Sequence, residues 1–265
     1  MSFSSSPTHR AGTLLVATAL VAGVAAAAPA SAALGSHGKH HGQSCRQPGG
    51  HRLPQGSRPV HLDPADFTTR IDNPYWPMRP GTTWRYTETS GGETARVTIT
   101  VTNRTRVIQG VTARVVHDSV RSGGELVEDT YDWYAQDKGG SIWYLGEATK
   151  TFENGQVVST EGSWEHGKDG AQAGVAVPAR PVPDCGYREE YRAGVAEDQA
   201  RVLSTREPLR VGTTLYRNVL HTANTTPLHA DLLENKFYAR GLGPVMEVDL
   251  SPEIGTVVLT GVTHP

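Results

Sequence analysis

Short segments rich in β-branched and aromatic residues, separated by glycine-containing turns, recur along most of the chain. In one of them Val97, Ile99 and Val101 alternate with polar residues, which is the two-residue period of a half-buried strand. Turn sequences such as Gln109-Gly110, Lys138-Gly139-Gly140 and Asn154-Gly155 permit the positive φ angles of tight hairpins. The pattern predicts an all-β fold: an antiparallel barrel, a half-barrel or a sandwich.

The N-terminus has the features of an export signal. Residues 11–28 form an apolar run of small residues, and the sequence ASA at 30–32 supplies an A-x-A cleavage site. The run is too rich in alanine and too poorly flanked for a membrane anchor. We therefore expect a signal peptide over residues 1–32, cleaved near Ala32, and a mature chain with no transmembrane segment. The expected location is secreted, either extracellular or associated with the cell wall.

Residues 33–60 are rich in Gly, Ser, Pro, Gln and His and have no apolar period, which predicts a flexible, disordered tail. The segment is basic: it contains Lys39, Arg46, Arg52 and Arg58 and no acidic residue. It is therefore either a solvated tether or a contact for anionic cell-wall polymer. Residues 61–265 are long enough for one hydrophobic core and are predicted to form a single β-rich domain.

Two groups of residues are candidate metal ligands. His37, His40 and His41 in the tail carry imidazoles that suit Zn²⁺, Cu²⁺ or Ni²⁺, although their spacing matches no closed site. Asp129 and Asp132 belong to an acidic stretch whose oxygen ligands suit Ca²⁺, although no Ca²⁺-binding loop motif is present. A solvated, charged strand surface explains the same acidic residues. No cofactor is expected.

The chain contains only two cysteines, Cys45 and Cys185. In an oxidising compartment they are expected to form a disulfide, and free thiols are the alternative. A disulfide between them would attach the tail to the domain across a long loop. In the chain-entropy model, such a bond stabilises the fold by about 3–5 kcal/mol.

Residues 129–165 contain three of the five tryptophans and three of the nine tyrosines. Strand alternation places Tyr131 and Trp133 on one face, and Asp132 and Tyr134 on the other. The Gly/Pro-rich residues 167–184 follow and are predicted to form a covering loop. An ordinary aromatic core explains the stretch, and so does a ligand cavity. The predicted cavity lining is Tyr131, Trp133, Tyr134, Trp143, Tyr144 and Trp164.

Catalytic signals are weak. The chain has no G-x-S-x-G or H-E-x-x-H motif. Glu161 and Glu165 are the candidate acid/base residues of a hydrolase acting on cell-envelope or extracellular polymers, if a further acid such as Glu189 or Glu190 converges with them. The domain is acidic and lacks a basic aromatic face, so no nucleic-acid partner is expected. A binding protein is the favoured interpretation, and a hydrolase or a structural cell-wall protein is the alternative.

Five motifs span most of the domain: DNPYWPMRPGTTW at 72–84, EDTYDWYAQD at 128–137, STEGSWE at 159–165, AED at 196–198 and KFYARGLG at 236–243. They resemble the motifs of an uncharacterised family of secreted, β-rich bacterial proteins that is frequent in actinobacteria. The resemblance implies secretion and the limits of the domain, and it implies no activity. At the level of fold, the strand pattern is also similar to lipocalins and to the half-barrel lipoprotein carriers of the bacterial envelope.

A secreted protein that holds a small apolar or amphipathic molecule in an aromatic-lined β cavity is therefore the functional hypothesis that the sequence supports best.

Overall fold

The computed structural model describes residues 45–48 and 52–265, in which sixteen strands form one antiparallel sheet. The strands are β1 (Phe67–Thr68), β2 (Thr83–Ser90), β3 (Glu93–Ile108), β4 (Val111–Ser122), β5 (Glu125–Asp137), β6 (Ile142–Glu153), β7 (Gln156–Ser159), β8 (Trp164–Glu165), β9 (Gln172–Val177), β10 (Gly186–Arg188), β11 (Glu190–Tyr191), β12 (Gln199–Val211), β13 (Thr214–Thr226), β14 (His229–Ala239), β15 (Gly243–Ser251) and β16 (Gly255–Thr263).

The strand order is β10-β12-β13-β14-β15-β16-β2-β3-β4-β5-β6-β9-β11. The two ends of this order, β10 and β11, are separated in the chain by Glu189 alone. Residues 186–191 therefore form a closing segment, which pairs with β12 through its first half and with β9 through its second half. The fold is a nearly closed antiparallel barrel, so the all-β prediction is confirmed and the barrel is the correct one of its alternatives.

The hairpins form where the sequence predicts them. Gln109 and Gly110 both have positive φ angles, as do Asn154 and Gly155, which is the geometry of a type I′ turn. Such turns twist in the same sense as the strands that they join, so the flanking strands pair directly. The alternating residues Val97, Ile99 and Val101 belong to the long strand β3, which continues to Ile108 because a register shift between Val101 and Thr105 absorbs the irregularity in its pairing with β4.

Side chains alternate between the barrel interior and an outer face, and each face contributes to a core. The main cluster fills the interior and contains Trp84, Tyr86 and Tyr134. A second cluster lies on the outside of β4, β5 and β6, where Val115, Trp133 and other apolar residues pack beneath the segment that includes Phe67. The barrel wall between them is therefore buried on both sides in this region.

Residues 71–80 form a plug at one end of the barrel. The Trp76 side chain is buried against the rings of Trp84, Tyr134 and Tyr238, at centroid distances of 6.5, 5.5 and 6.2 Å. Gly243 lies against the Trp76 ring so closely that a Cβ at this position would be 2.7 Å from Cδ1. The plug closes this end of the interior with a layer of aromatic side chains.

Residues 52–60 form a strap along the closing segment. Leu53 is buried, and the Arg188 guanidinium donates to the carbonyl oxygens of Gly56 and Arg58. Cys45 and Cys185 form the predicted disulfide, which ties the start of this region to the barrel. Composition predicted a flexible tail through residue 60, but the described residues 45–48 and 52–60 contact the barrel because the disulfide and these carbonyl groups hold them there.

The signal peptide, the cleavage site near Ala32 and the candidate metal ligands His37, His40 and His41 lie outside the described residues. Within residues 45–48 and 52–265, no helix is long and apolar enough to cross a membrane.

One local expectation needs correction. Residues 167–184 are not a covering loop, because they contain β9, a buried strand that pairs with β6 and with the closing segment. Before β1, Pro64–Asp66 form a single 3₁₀ turn, which Asp63 caps by accepting from the Ala65 amide.

Candidate functional site

The interior of the barrel changes in character along its axis. On three strands the inward-facing side chains pass from aromatic at the plugged end to charged at the other end. The series are Trp84, Tyr86 and Glu88 on β2, Tyr134, Asp132 and Glu128 on β5, and Tyr238, Lys236 and Glu234 on β14. Across β2, β16, β15 and β14 the register pairs Glu88 with Val257, Val257 with Glu247 and Glu247 with Lys236, so the charged side chains of these strands lie in one row.

Eight acidic residues are buried, and we call them the interior acids. They are Glu88, Asp118, Glu128, Asp132, Glu147, Glu189, Glu190 and Glu247. Only two cationic side chains of Lys or Arg are buried in the described residues, Arg188 and Lys236. Buried charge is costly unless it is paired and hydrogen-bonded, so this imbalance requires a physical explanation.

Tyr144 joins two of the interior acids. Its hydroxyl oxygen lies 2.7 Å from Asp132 Oδ1 and 2.6 Å from Glu147 Oε2. A tyrosine hydroxyl has one proton and can donate to only one of these carboxyl groups. The other contact is a hydrogen bond only if that carboxyl group is protonated and donates to the Tyr144 oxygen. The geometry therefore places at least one proton on Asp132 or Glu147.

The electrostatic surroundings raise the pKa of the interior acids. Burial raises the pKa of Asp132 to about 7, with a further contribution from Glu128, while the Tyr144 hydrogen bond opposes the shift. Burial also raises the pKa of Asp118 well above its usual value, and Asp132 and Glu128 add to this. The same causes, burial and neighbouring carboxyl groups, raise the pKa of Glu147 and Glu190. A substantial part of the charge imbalance is thus removed by protonation near neutral pH.

Lys236 supplies the ammonium group of this interior. Its Nζ lies 3.5 Å from Glu234 Oε2 and 3.6 Å from Glu247 Oε1. Burial lowers the pKa of Lys236, but Glu247, Glu234 and Glu189 outweigh burial and raise it overall. Glu189 is held in turn by the Asn224 amide, which donates to its Oε2 at 2.5 Å.

Three of the six predicted lining residues share the interior. Tyr134 and Tyr144 stack at 4.7 Å between centroids, and the Trp164 ring meets Tyr144 edge-on at 5.3 Å. The Trp164 indole N–H donates to Glu190 Oε2 at 2.6 Å, so this ring connects the aromatic group to the interior acids.

The other three predicted lining residues do not face the interior. Trp133 carries the Arg106 guanidinium over its ring at 4.2 Å, and Tyr131 packs against the outer cluster. Trp143 meets Phe67 edge-on and donates through Nε1 to Asp137. The prediction that all six line one cavity is wrong, because strand alternation sends neighbouring side chains of β5 and β6 to opposite sides of the wall.

Asp129 and Asp132 are likewise on opposite faces, which rules them out as ligands of one Ca²⁺ ion. Asp129 lies 2.6 Å from His117 Nε2 on the outside, whereas Asp132 is in the interior. Among the described residues, no group of three or more His, Cys, Asp or Glu side chains is arranged to hold a metal ion.

The candidate hydrolase pair is not arranged as an acid/base pair. Glu165 pairs with Arg106 and with Lys168 on the outside of the barrel. Burial raises the pKa of Glu165, but the hydrogen bonds from Lys168 and Arg106 outweigh burial and lower it overall. Glu161 is exposed in the turn after β7, and Glu189 and Glu190 are interior acids. A salt-bridged carboxylate with a lowered pKa is poorly suited to general acid catalysis.

Sequence reasoning missed most of the interior acids, although a signal for some of them was present. Asp118 occupies the same strand parity as Val116 and Val120, and Glu88 the same parity as Trp84 and Tyr86. An acidic residue at a position where the alternation calls for an apolar one indicates a buried acid. Glu190 carries no such signal because its strand has only two residues, and Glu247 carries a weak one because its neighbours on the same face are Val245 and Asp249.

Two pockets, of about 170 and 480 Å³, open along the strap. The larger one runs beneath residues 52–60 and reaches Gly186. The smaller one has Arg188, Glu190 and Glu197 in its wall and Gly56 at its rim. Through Glu190, which also bonds Trp164, the smaller pocket borders the group of interior acids.

Comparisons with known proteins add little to this geometry. No family model and no curated protein sequence matches the chain. Two solved structures are similar: a protein proposed to be exported, with a YmcC-like fold, from Bacteroides fragilis, and a protein proposed to be a lipoprotein from Parabacteroides distasonis. They have 11% and 9% sequence identity, cover 72% and 71% of this chain and 99% and 98% of their own, and give TM-scores of 0.42 and 0.39. Both scores are below 0.5, and the barrel is defined by its own strand pairing.

Proposed function

We propose that this chain is a secreted binding protein that holds a small amphipathic molecule inside its barrel. One observation carries the proposal: the interior has an aromatic half next to the plug and a polar, carboxyl-lined half beyond it. An amphipathic molecule presents the same two kinds of surface, so its apolar part matches the rings and its polar group matches the acids. Glu234 and Asp249, which are only partly buried, mark where the polar half approaches solvent.

Export is part of this proposal. The apolar N-terminal run and the A-x-A site support it, and the Cys45–Cys185 disulfide is consistent with an oxidising compartment. A contact of residues 33–60 with anionic cell-wall polymer stays a prediction, since most of that segment lies outside the described residues.

Two matched substitutions on one strand test interior binding. Thr149 is buried on the inner face of β6, where it bonds Thr130, and Lys150 is exposed on the outer face. We expect Thr149→Phe to fill the polar half and abolish binding of a neutral fluorescent amphiphile such as N-phenyl-1-naphthylamine. Lys150→Phe adds the same ring outside and should leave the affinity unchanged.

Thermal unfolding followed by circular dichroism confirms that each variant is folded, and Thr149→Leu replaces Thr149→Phe if the larger ring prevents folding. Equal affinity in the inner and outer variants would contradict an interior site. Absence of binding by the unsubstituted protein, combined with no co-purifying small molecule in native mass spectrometry, would contradict the function itself.

A further inference from the structure

The interior acids are short of partners that carry positive charge. Arg188 does not neutralise them, because its guanidinium donates to the carbonyl oxygens of Gly56, Arg58 and Ala173. Lys236 is bonded to Glu234 and Glu247 at one side of the interior. Asp132, Glu147 and Glu190 lie around Tyr144, and none of these three belongs to an ion pair within residues 45–48 and 52–265.

Three oxygens around Tyr144 lack hydrogen-bond partners. Glu147 Oε1, Glu190 Oε1 and the Tyr134 hydroxyl are all buried, and none of the three has a partner in the described part of the chain. They belong to one group: Glu147 and Glu190 both contribute to the raised pKa of the Tyr134 hydroxyl. Glu147 and Glu190 are each 1% exposed, so bulk water does not satisfy these atoms.

The rings beside these oxygens are suited to a cation. Tyr144 stacks on Tyr134, and Trp164 meets Tyr144 edge-on, so aromatic surface borders the unpartnered oxygens. Aromatic faces attract a cation, more strongly when it is desolvated. Lys236 shows that an ammonium group can be seated between carboxyl groups inside this same barrel.

We propose that the amphipathic ligand carries an ammonium group, which binds among Glu147, Glu190 and Tyr134. This inference rests on the function proposed above and specifies its ligand class. A primary ammonium has three N–H donors, one for each of the three oxygens, and its alkyl or aryl part extends into the aromatic half. Glu190 also lines the 170 Å³ pocket beside the strap, and this pocket is the candidate entrance to the ammonium site.

Binding has a proton balance that distinguishes an ammonium from other polar groups. Glu190 Oε1 is buried without a hydrogen-bond partner, and burial together with the neighbouring Asp198 raises the pKa of Glu190, which favours its protonated form in the free protein. An ammonium favours the carboxylate form of the groups that receive its N–H bonds. The Glu190 O–H bond therefore breaks, the proton passes to the buffer, and the Glu190 carboxylate and the ammonium form an ion pair, while the proton held between Tyr144, Asp132 and Glu147 stays in place. Affinity should rise with pH below the pKa of the amine.

The test compares three molecules of equal chain length, octylamine, octanol and octanoate, by calorimetry at pH 6 and pH 8 in two buffers of different ionisation enthalpy. We expect octylamine to bind at least about tenfold more tightly than octanol, which corresponds to about 1.4 kcal/mol. We also expect proton release and tighter octylamine binding at pH 8.

Octanol or octanoate binding equally well or better would overturn the ammonium inference and leave the binding function intact. If none of the three binds or displaces the fluorescent amphiphile, the proposed function fails together with the inference.

Substitutions locate the site. Glu147→Gln keeps the shape of the side chain and an acceptor for Tyr144 but removes the charge, so octylamine affinity should fall about tenfold or more while octanol affinity is unchanged. Glu190→Gln, which retains the acceptor for Trp164, should act in the same way and serves if the first variant does not fold. Glu153→Gln is the matched control, since Glu153 is exposed on the same strand as Glu147. Unchanged octylamine affinity in a folded Glu147→Gln or Glu190→Gln variant would overturn the site.

Discussion

Tyr144 has more hydrogen-bond acceptors around it than it has protons. Its single hydroxyl proton cannot satisfy both Asp132 and Glu147, so a carboxyl group in this trio is protonated. The interior acids thereby remain buried without the full cost of eight buried charges. This residue-scale arrangement makes the stability of the whole barrel dependent on pH.

The first prediction concerns Asp132→Asn. The pKa of Asp132 is about 7 in the folded protein and near its usual value of about 4 in the unfolded chain, so the folded state binds more protons between these pH values. The protonated Asp132 carboxyl group therefore stabilises the fold most below about pH 4, and this stabilisation is lost as pH rises towards 7. The resulting decrease in the free energy of unfolding is on the order of a few kcal/mol. Asn cannot titrate, so we expect a weaker decline of Tm between pH 5 and pH 8 in the variant.

Differential scanning calorimetry across this pH range measures the decline. Glu125→Gln is the control, because Glu125 is exposed on the same strand and its substitution should leave the decline unchanged. A Tm profile of Asp132→Asn that parallels the unsubstituted protein would show that Asp132 does not carry the proton.

At the scale of elements, the hairpin of β5 and β6 was predictable and its two faces were not. Lys138, Gly139 and Gly140 indicated the turn, and alternation correctly separated Trp133 from Tyr134. Alternation defines two faces within a strand but contains no information on which face a neighbouring element covers. Here both faces are buried, one by the barrel interior and one by the segment around Phe67, so aromatic residues occur on both.

The closing segment depends on a glycine. A Cβ on Gly174 would lie 2.2 Å from the backbone oxygen of Glu189 and 2.6 Å from that of Arg188. Backbone atoms cannot rotate away as a flexible side chain can, so Gly174→Ala should separate β9 from residues 186–191. We expect a loss of about 3 kcal/mol or more in the free energy of unfolding, measured by urea denaturation.

Gly186→Ala is the matched control for this second prediction. Gly186 lies in the same segment, but the nearest contact of its added Cβ is 3.7 Å, which is ordinary van der Waals distance. A small effect of Gly186→Ala together with a large effect of Gly174→Ala is the expected pair. Similar free energies of unfolding for the two variants would show that β9 can move away from residues 186–191 without loss of stability.

For the molecule as a whole, the strap and the disulfide connect the N-terminal region to the point at which the barrel closes. Cys45 and Cys185 are 140 residues apart in sequence, and Cys185 immediately precedes the closing segment. The bond thus restricts a large part of the unfolded chain and also holds residues 52–60 near Arg188 in the folded one.

The third prediction is the effect of removing this bond. We expect Cys45→Ser combined with Cys185→Ser to lower the free energy of unfolding by about 3–5 kcal/mol, because the unfolded chain regains the entropy of an open loop. Denaturant titration of the variant, and of the unsubstituted protein with and without reductant, measures this. The reduced protein should match the variant, and equal stability of the oxidised protein and the variant would contradict the prediction.

The sequence by itself determined the local features: the strand segments, the type I′ turns, the pairing of the only two cysteines and the alternation within each strand. Backbone φ preferences determine the turns and side-chain alternation determines the strand faces, and both act over a few residues. With only two cysteines in the chain, one intramolecular pairing is available. Only the tertiary structure decided which faces turn inwards and which residues meet there. Asp118, Glu147 and Glu190 lie on β4, β6 and β11, which the sheet brings together through β5 and β9, and their pKa shifts result from burial and from neighbouring carboxyl groups. A single strand does not show which acids will be neighbours, because strand pairing joins residues that are far apart in the chain.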